Sequence, residues 1–352
     1  MAKIDVVIPC YKYGRFLQMC LQSVMTQPVK DLRVLIIDDA SPDDSATIAR
    51  HLAAGDSRIE LRVHAKNQGH IKTYNEGIDW AQSDYFLLLS ADDLLAPGAL
   101  ARAVTILDQQ PDIVLTHGEG IFWQDDQPLP VFETDYPLDW TRQDLVADMC
   151  DIGQNLVATP TAIGRTRVQK AIGHYKAELP HSGDMEMWLR YGACGPVACI
   201  DAPQAIYRRH AANMSIGYDS QEKRDFPHRK AAFDSFFEAC GGRLADVSSL
   251  QRKVSRTLAD ESFQRGVECL RQGRIEDGLE LLRWAMKADP RLRYCPPLWR
   301  LFRMPGSEGR HRVLSAVRSG AKRLLGTRPE TSARIRAERS EGAGAAPTDR
   351  QR

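Results

Sequence analysis

With 352 residues, 43% of them hydrophobic and 26% charged, the chain is long for one domain and can bury a sizeable core, which excludes a fibrous or wholly disordered protein. The formal net charge of +1 conceals an asymmetry: from Arg291 onward 15 Lys and Arg stand against 5 Asp and Glu, so an acidic body carries a basic tail suited to an anionic surface. Eight scattered cysteines with no Cys-x-x-Cys pair exclude a zinc site or a disulfide framework, no run approaches the roughly 18 apolar residues of a membrane span, and Met1–Asp5 shows no signal pattern, so a cytoplasmic protein is expected.

In chain order, Ile4–Pro9 is a β-branched run, and Gly14–Gln27 carries Phe16, Leu17, Cys20, Leu21 and Val24 at helical spacing. Leu32–Ile37 is a second apolar run ending at Asp38-Asp39, after which Pro42-Asp43-Asp44 opens a helix through Leu52. Ile59–Val63 reads as a third strand, followed by a helix over about 71–81. Asp84–Leu89 supplies a fourth strand, continuous and apolar as a strand buried on both faces should be, with Ser90-Ala91-Asp92-Asp93 at its end. A carboxylate pair at a strand's carboxyl end holds a metal, and through it a phosphate, or else caps a helix opening at Pro97. Pro97–Gln109 reads as that helix and Ile113–Leu115 as a fifth strand. Strands alternating with helices predict a parallel sheet with right-handed crossovers.

The segment from Phe122 to Pro160, rich in Asp and Pro, reads as loops and short helices. A helix near Met185–Tyr191 then precedes a strand near Val197–Ile200 and the stretch Ala205–His210. Leu258–Arg271 and Ile275–Ala288 form two amphipathic helices broken at Gly273; Gly266, Leu270, Gly278, Leu282, Ala285 and Pro290 resemble one tetratricopeptide-type unit, too few for a solenoid. Past Pro305, Val313, Val317, Ala321 and Leu324 share a helical face with Arg312, Arg318, Lys322 and Arg323 elsewhere, a pattern shared by basic interfacial helices and ordinary solvated ones. Beyond Arg328 the composition is that of a disordered end.

Four strand ends converge on one sheet edge: Pro9-Cys10-Tyr11, Asp38-Asp39-Ala40-Ser41, Asn67-Gln68-Gly69 and Asp92-Asp93. Neither Gly-x-Gly-x-x-Gly after the first strand nor a P-loop is present, so phosphates would need a metal, and Asp92-Asp93 are hard oxygen ligands suited to Mg²⁺ or Mn²⁺. In order and spacing, Val7–Tyr11, Ile37–Asp43, Asn67–Gly69, Asn75–Ile78 and Leu89–Asp93 resemble family 2 glycosyltransferases over roughly residues 3–215. Ser90 stands where that family commonly has a further Asp.

The resemblance implies an α/β GT-A fold, a Rossmann-like nucleotide-binding sheet joined here to a C-terminal α-helical region. It implies an inverting, metal-dependent transfer from a nucleotide-sugar, a UDP-sugar first, to a hydroxyl of a glycan or lipid-linked acceptor. Carried over position by position, Pro9 and Tyr11 line the nucleoside pocket, Asp39 more than Asp38 accepts the imide N–H of the base, and the Asn67–Gly69 loop closes over it. Asp92 meets the ribose or a metal-bound water, Asp93 holds the cation, and His210 is a third ligand, with Arg208 or Arg209 on the phosphates. Asp184, in Ser182–Arg190, is the general base, with Glu186 the lesser candidate. The expected domains are residues 1–220, a helical extension at 221–304 and a basic tail at 305–352. No nucleic-acid partner is expected, and the tail suggests peripheral contact with anionic lipid at the inner face of the cell membrane. The rival reading is a non-catalytic nucleotide-sugar-binding or scaffold protein acting through its helical region.

Overall fold

Three β-branched runs form parallel strands β1 (Ile4–Cys10), β2 (Leu32–Asp38) and β3 (Ile59–Val63) in a computed structural model that describes residues 3–132, 136–213 and 222–294. Every residue of β1 is buried because helices α1 (Gly14–Met25), α2 (Ser45–Gly55) and α3 (His70–Trp80) cover the faces, which is why the strand is apolar throughout. Strand β4 (Tyr85–Leu88) pairs parallel on the other side of β1, with Val7 opposite Leu88 on one side and Leu35 on the other. Burying a side chain such as Ile8, Leu35 or Leu87 contributes about 1.5–3 kcal/mol, so this layer dominates the stability of the first half.

The sheet continues through antiparallel β8 (Ile163–Arg165), then β6 (Leu115–Gln124), β9 (Val197–Arg209) and the two-residue β5 (Leu94–Leu95), with β7 (Trp140–Gln143) on β9. It is therefore a mixed, nine-stranded sheet among the described residues, parallel in its β3-β2-β1-β4 half. Helices α4 (Ala99–Gln109), α5 (Leu145–Ile152), α6 (Thr166–Ile172), α7 (Gly183–Gly192) and α8 (Glu222–Cys240) complete the cover, α8 packing on α7.

Two boundaries differ from expectation. Helix α4 starts at Ala99, after Gly98 in a left-handed turn at φ 74°, and β5 stands between it and the acidic pair. Asp92-Asp93 therefore do not cap that helix. Strand β6 runs on to Gln124 instead of stopping at Leu115, paired with β9 through a bulge at Gly118–Gly120. A Cβ on Gly118 would lie 2.7 Å from the Gln204 side chain and 2.8 Å from the Ile200 carbonyl, so this glycine serves close strand approach.

One compact unit extends to Ser262, near the end of the first half of α9 (Val247–Arg271), and a second begins at Phe263. In the second, the end of α9 and helix α10 (Ile275–Ala288) form the expected hairpin about Gly273, at φ 82°. Gly266 and Gly278 face each other there, each leaving only about 3 Å between a would-be Cβ and the other's carbonyl oxygen (3.0 and 2.8 Å). Among the described residues no helix is long and apolar enough to cross a membrane. The 305–352 tail, with its basic stretch Arg312–Arg323, lies outside the described residues.

Strand β8 fastens β4 to β6, and a Cβ on Gly164 would fall 2.2 Å from the hydroxyl of fully buried Tyr191. Gly164→Ala should lower stability by about 1–3 kcal/mol through overpacking, read as a lower urea midpoint at unchanged slope. A loss under about 0.5 kcal/mol would contradict this packing.

Candidate active site

The carboxyl ends of β1, β2 and β4 meet at one edge of the sheet. Lys12 and Ala40, just past β1 and β2, have left-handed φ of 61° and 55°, the two non-glycine residues so strained among those described. Asp38 is fully buried; one carboxylate oxygen accepts the Ser41 N–H at 3.1 Å, and the other has no partner among the described residues.

Asp39 organises the turn after β2. Its carboxylate accepts the Gln68 N–H at 2.7 Å, the Gly69 N–H at 2.9 Å and His64 Nδ1–H at 2.7 Å, while Asn67 donates to its carbonyl at 3.2 Å. A carboxylate has about four acceptor positions, so one remains on the Oδ2 side for an incoming N–H. His64 was not foreseen; a lone histidine before Asn67 carries little signal in sequence. Tyr11 is 40% exposed at the β1 tip, with Lys12 Nζ 5.1 Å from its ring centre.

Asp92 and Asp93 lie just beyond β4, both nearly excluded from water. Asp93 accepts the Arg208 main-chain N–H at 3.1 Å, and burial, then the neighbouring Asp92 charge, push its carboxyl well above the usual range. Asp92 Oδ2 accepts from His210 Nε2–H and from Asn213 Nδ2, each at 3.2 Å, while Asp92 Oδ1 is buried without a partner among the described residues. His210 Nδ1 accepts the Ala212 N–H, which places the ring proton on Nε2, facing Asp92. Among the described residues no three His, Cys, Asp or Glu are preassembled about a metal position. The orphaned Asp92 oxygen beside Asp93 still suits a cation held by two carboxylates and completed by phosphate and water, the usual style of Mg²⁺.

Arg208 does not face the cleft. Its Nε donates to the Asp92 carbonyl at 2.9 Å, a terminal nitrogen donates to Asp125 at 2.8 Å, and the guanidinium lies 4.6 Å from the ring centres of both Phe16 and Trp123. The expectation that it meets phosphates is corrected: it is a buried brace for the acidic pair. Arg209 lies over the rings of Phe122 and Tyr207.

Asp184 sits in the first turn of α7, half-buried. Its Oδ2 accepts from Asn155 Nδ2 at 3.0 Å and Thr159 Oγ1 at 3.3 Å, and Oδ1 from the Met185 N–H at 2.7 Å. Burial pushes its carboxyl up, and these donors work the other way by favouring the charged form. Glu186 is fully buried and paired with Arg190 at 2.8 Å and Lys176 at 3.1 Å, so it is structural.

A cleft of about 250 Å³ joins Pro9, Asp92, Asp93 and Asp184, and its wall includes the four tyrosine rings of Tyr13, Tyr74, Tyr175 and Tyr207. Tyr11, Asp38, Asp39, Asn67 and Gly69 lie outside its lining, and His210 reaches it through Asp92. The rings come from separate elements and share no sequence pattern, so sequence reasoning did not find them.

Because Asn155 and Thr159 stabilise the ionised form, Asn155→Ala should shift the Asp184 titration to higher pH, followed by carboxyl-carbon NMR. A midpoint that stays or falls contradicts this account of the site.

Residues 5–150 match the family described as Glycosyl transferase family 2. A GalNAc(5)-diNAcBac-PP-undecaprenol beta-1,3-glucosyltransferase of Campylobacter jejuni is 31% identical over 102 residues, 29% of this chain and 33% of that protein. The chain spans about half the length of the curated relatives it matches, for example 48% and 58% of two of them. Among solved structures, S. aureus TarS in complex with UDP-GlcNAc superposes with a TM-score of 0.61 at 14% identity, covering 90% of this chain and 88% of that one. The mannosyltransferase PcManGT of Pyrobaculum calidifontis, in complex with GDP-Man and Mn2+, gives 0.56 at 14%, covering 91% and 80%. At these identities the structural likeness establishes the fold.

Proposed function

From the premise that residues 5–150 are a glycosyl transferase family 2 domain, we propose that the chain is an inverting, cation-dependent glycosyltransferase acting from a nucleotide-sugar onto a hydroxyl of a glycan or lipid-linked acceptor. The observation that carries this reading is the single cleft joining the Asp92-Asp93 pair to Asp184. Its aromatic walls suit pyranose rings, which pack their C–H faces on aromatic surfaces.

The base is a uracil in the first instance, its imide N–H taking the acceptor position left on Asp39; guanine, with N1–H, fits the same requirement. Asp93 and Asp92 would hold Mn²⁺ or Mg²⁺, with His210, which now hydrogen-bonds Asp92, the third candidate ligand. When bound, the cation neutralises the diphosphate and stabilises it as a leaving group. Asp184 takes the proton of the acceptor hydroxyl as that oxygen bonds to the anomeric carbon. The bond from that carbon to the diphosphate oxygen breaks, its electron pair leaving with the nucleotide. One displacement inverts the centre.

Asp184→Asn should lower kcat roughly 10²–10⁴-fold, the usual contribution of a general base, with nucleotide affinity retained. Asp93→Ala should abolish both turnover and cation-dependent binding of the nucleoside diphosphate, measured by calorimetry. Near-wild-type turnover of Asp184→Asn would refute the assigned base. A protein that binds no nucleotide at millimolar UDP or GDP with Mn²⁺ would instead support the scaffold reading.

The basic tail supports peripheral contact with anionic lipid at the inner face of the membrane, each Lys or Arg near such a surface contributing about 1 kcal/mol. Full-length protein should pellet with anionic liposomes at low salt more than a 1–305 truncation does; equal pelleting removes the idea.

A further inference from the structure

His64 lies between two carboxylates from different elements. Nδ1 is 2.7 Å from Asp39 Oδ1, just beyond β2, and Nε2 is 2.8 Å from Glu76 Oε2 on α3. A neutral imidazole has one N–H, so it can donate to only one of these oxygens; both contacts are donated only by the doubly protonated ring. The side chain is 8% exposed and the His64 main-chain N–H donates to the Asp38 carbonyl at 2.9 Å, so the residue has little freedom to turn away. The other charged groups in the cluster are Arg62, which reaches Glu76 at 3.2 Å, and Glu60, which Arg62 also meets at 3.0 Å.

We propose that His64 is a positioning residue of the nucleotide site: as an imidazolium clamped by Glu76, it fixes the Asp39 carboxylate and, through it, the Asn67–Gly69 loop in the form that receives the base. Asp39 Oδ1 is shared by His64 and Gln68, which directs the remaining acceptor position outward from Oδ2. Loss of the proton breaks one of the two bridges. Asp39 then loses its charged partner or α3 loses its tie to the base pocket. Burial works against the charged ring, but the hydrogen bonds to Asp39 and Glu76 outweigh it, so the imidazolium persists to higher pH than an ordinary histidine. With the folded-state pKa raised, the clamp is fully present below the ordinary histidine range and is lost as pH rises through the raised value.

The inference rests on the nucleotide-binding reading, and one experiment separates the two. UDP and GDP, each with Mn²⁺, are titrated calorimetrically into the full-length protein from about pH 6.5 to 9, alongside NMR of the His64 ring nitrogens. Affinity for the preferred nucleotide should fall roughly ten- to a hundredfold over this range, the span expected for one hydrogen bond to a charged group, in step with the His64 titration. Glu76→Gln should move both midpoints to lower pH, and His64→Gln should bind weakly with a flatter pH profile. Affinity that is constant with pH, or a midpoint that Glu76→Gln leaves in place, overturns the proposal. If neither nucleotide binds the wild type at any pH, the proposed function itself falls, and this inference with it.

Discussion

Two adjacent carboxylates held almost out of water at the end of a central strand constrain the rest of this molecule. Burying an ionised group without a partner costs several kcal/mol, so Asp92 and Asp93 need donors from elsewhere in the chain. The chain provides them through β9 and the turn after it: the Arg208 main chain on Asp93, the Arg208 side chain on the Asp92 carbonyl, and His210 and Asn213 on Asp92. Arg208 is held in turn by Asp125 and by the faces of Phe16 and Trp123, so α1, β6 and β9 all converge on one guanidinium. One Asp92 oxygen still lacks a partner, and two negative groups remain side by side. Such a pair is stable with a proton or a cation between its charges.

The end of β2 follows the same logic with different partners. Asp39 faces backbone N–H groups and His64, so its geometry is fixed within the fold. A preorganised acceptor of this kind loses little freedom on binding, which lowers the cost of taking a ligand. The two arrangements sit at strand ends on either side of β1, which pairs with both β2 and β4. Asp184 arrives separately, on α7, and is ordered by Asn155 and Thr159 from the segment that showed no regular pattern in sequence.

Most of the parallel half-sheet was legible, because strands buried on both faces read as unbroken apolar runs such as Val6–Ile8 and Phe86–Leu89. The acidic motifs were legible because they end those runs. What escaped was decided by tertiary contact. The apolar run read as the fifth strand ends at Leu115, yet Gly118 and Gly120 are strand residues crowded by Gln204 and Ala158. Arg208 looked like a phosphate ligand, and only the surrounding Phe16, Trp123 and Asp125 turn it inward. His64 and Glu76 are 12 residues apart, and although Glu76 falls in the Asn75–Ile78 motif, nothing local marks His64 as its partner. The aromatic wall of the cleft is gathered from α1's approach, α3, the 175–181 loop and β9, which no local spacing announces.

The account centres on one displacement, with the leaving diphosphate at Asp92-Asp93 and the base Asp184 across the same cleft. The most direct test is real-time proton NMR of an α-linked nucleotide-sugar, chosen from a UDP- and GDP-sugar panel, as the protein hydrolyses it with Mn²⁺ present. Release of the β-anomer first, lost in Asp184→Asn, is the predicted result; release of the α-anomer first would contradict it.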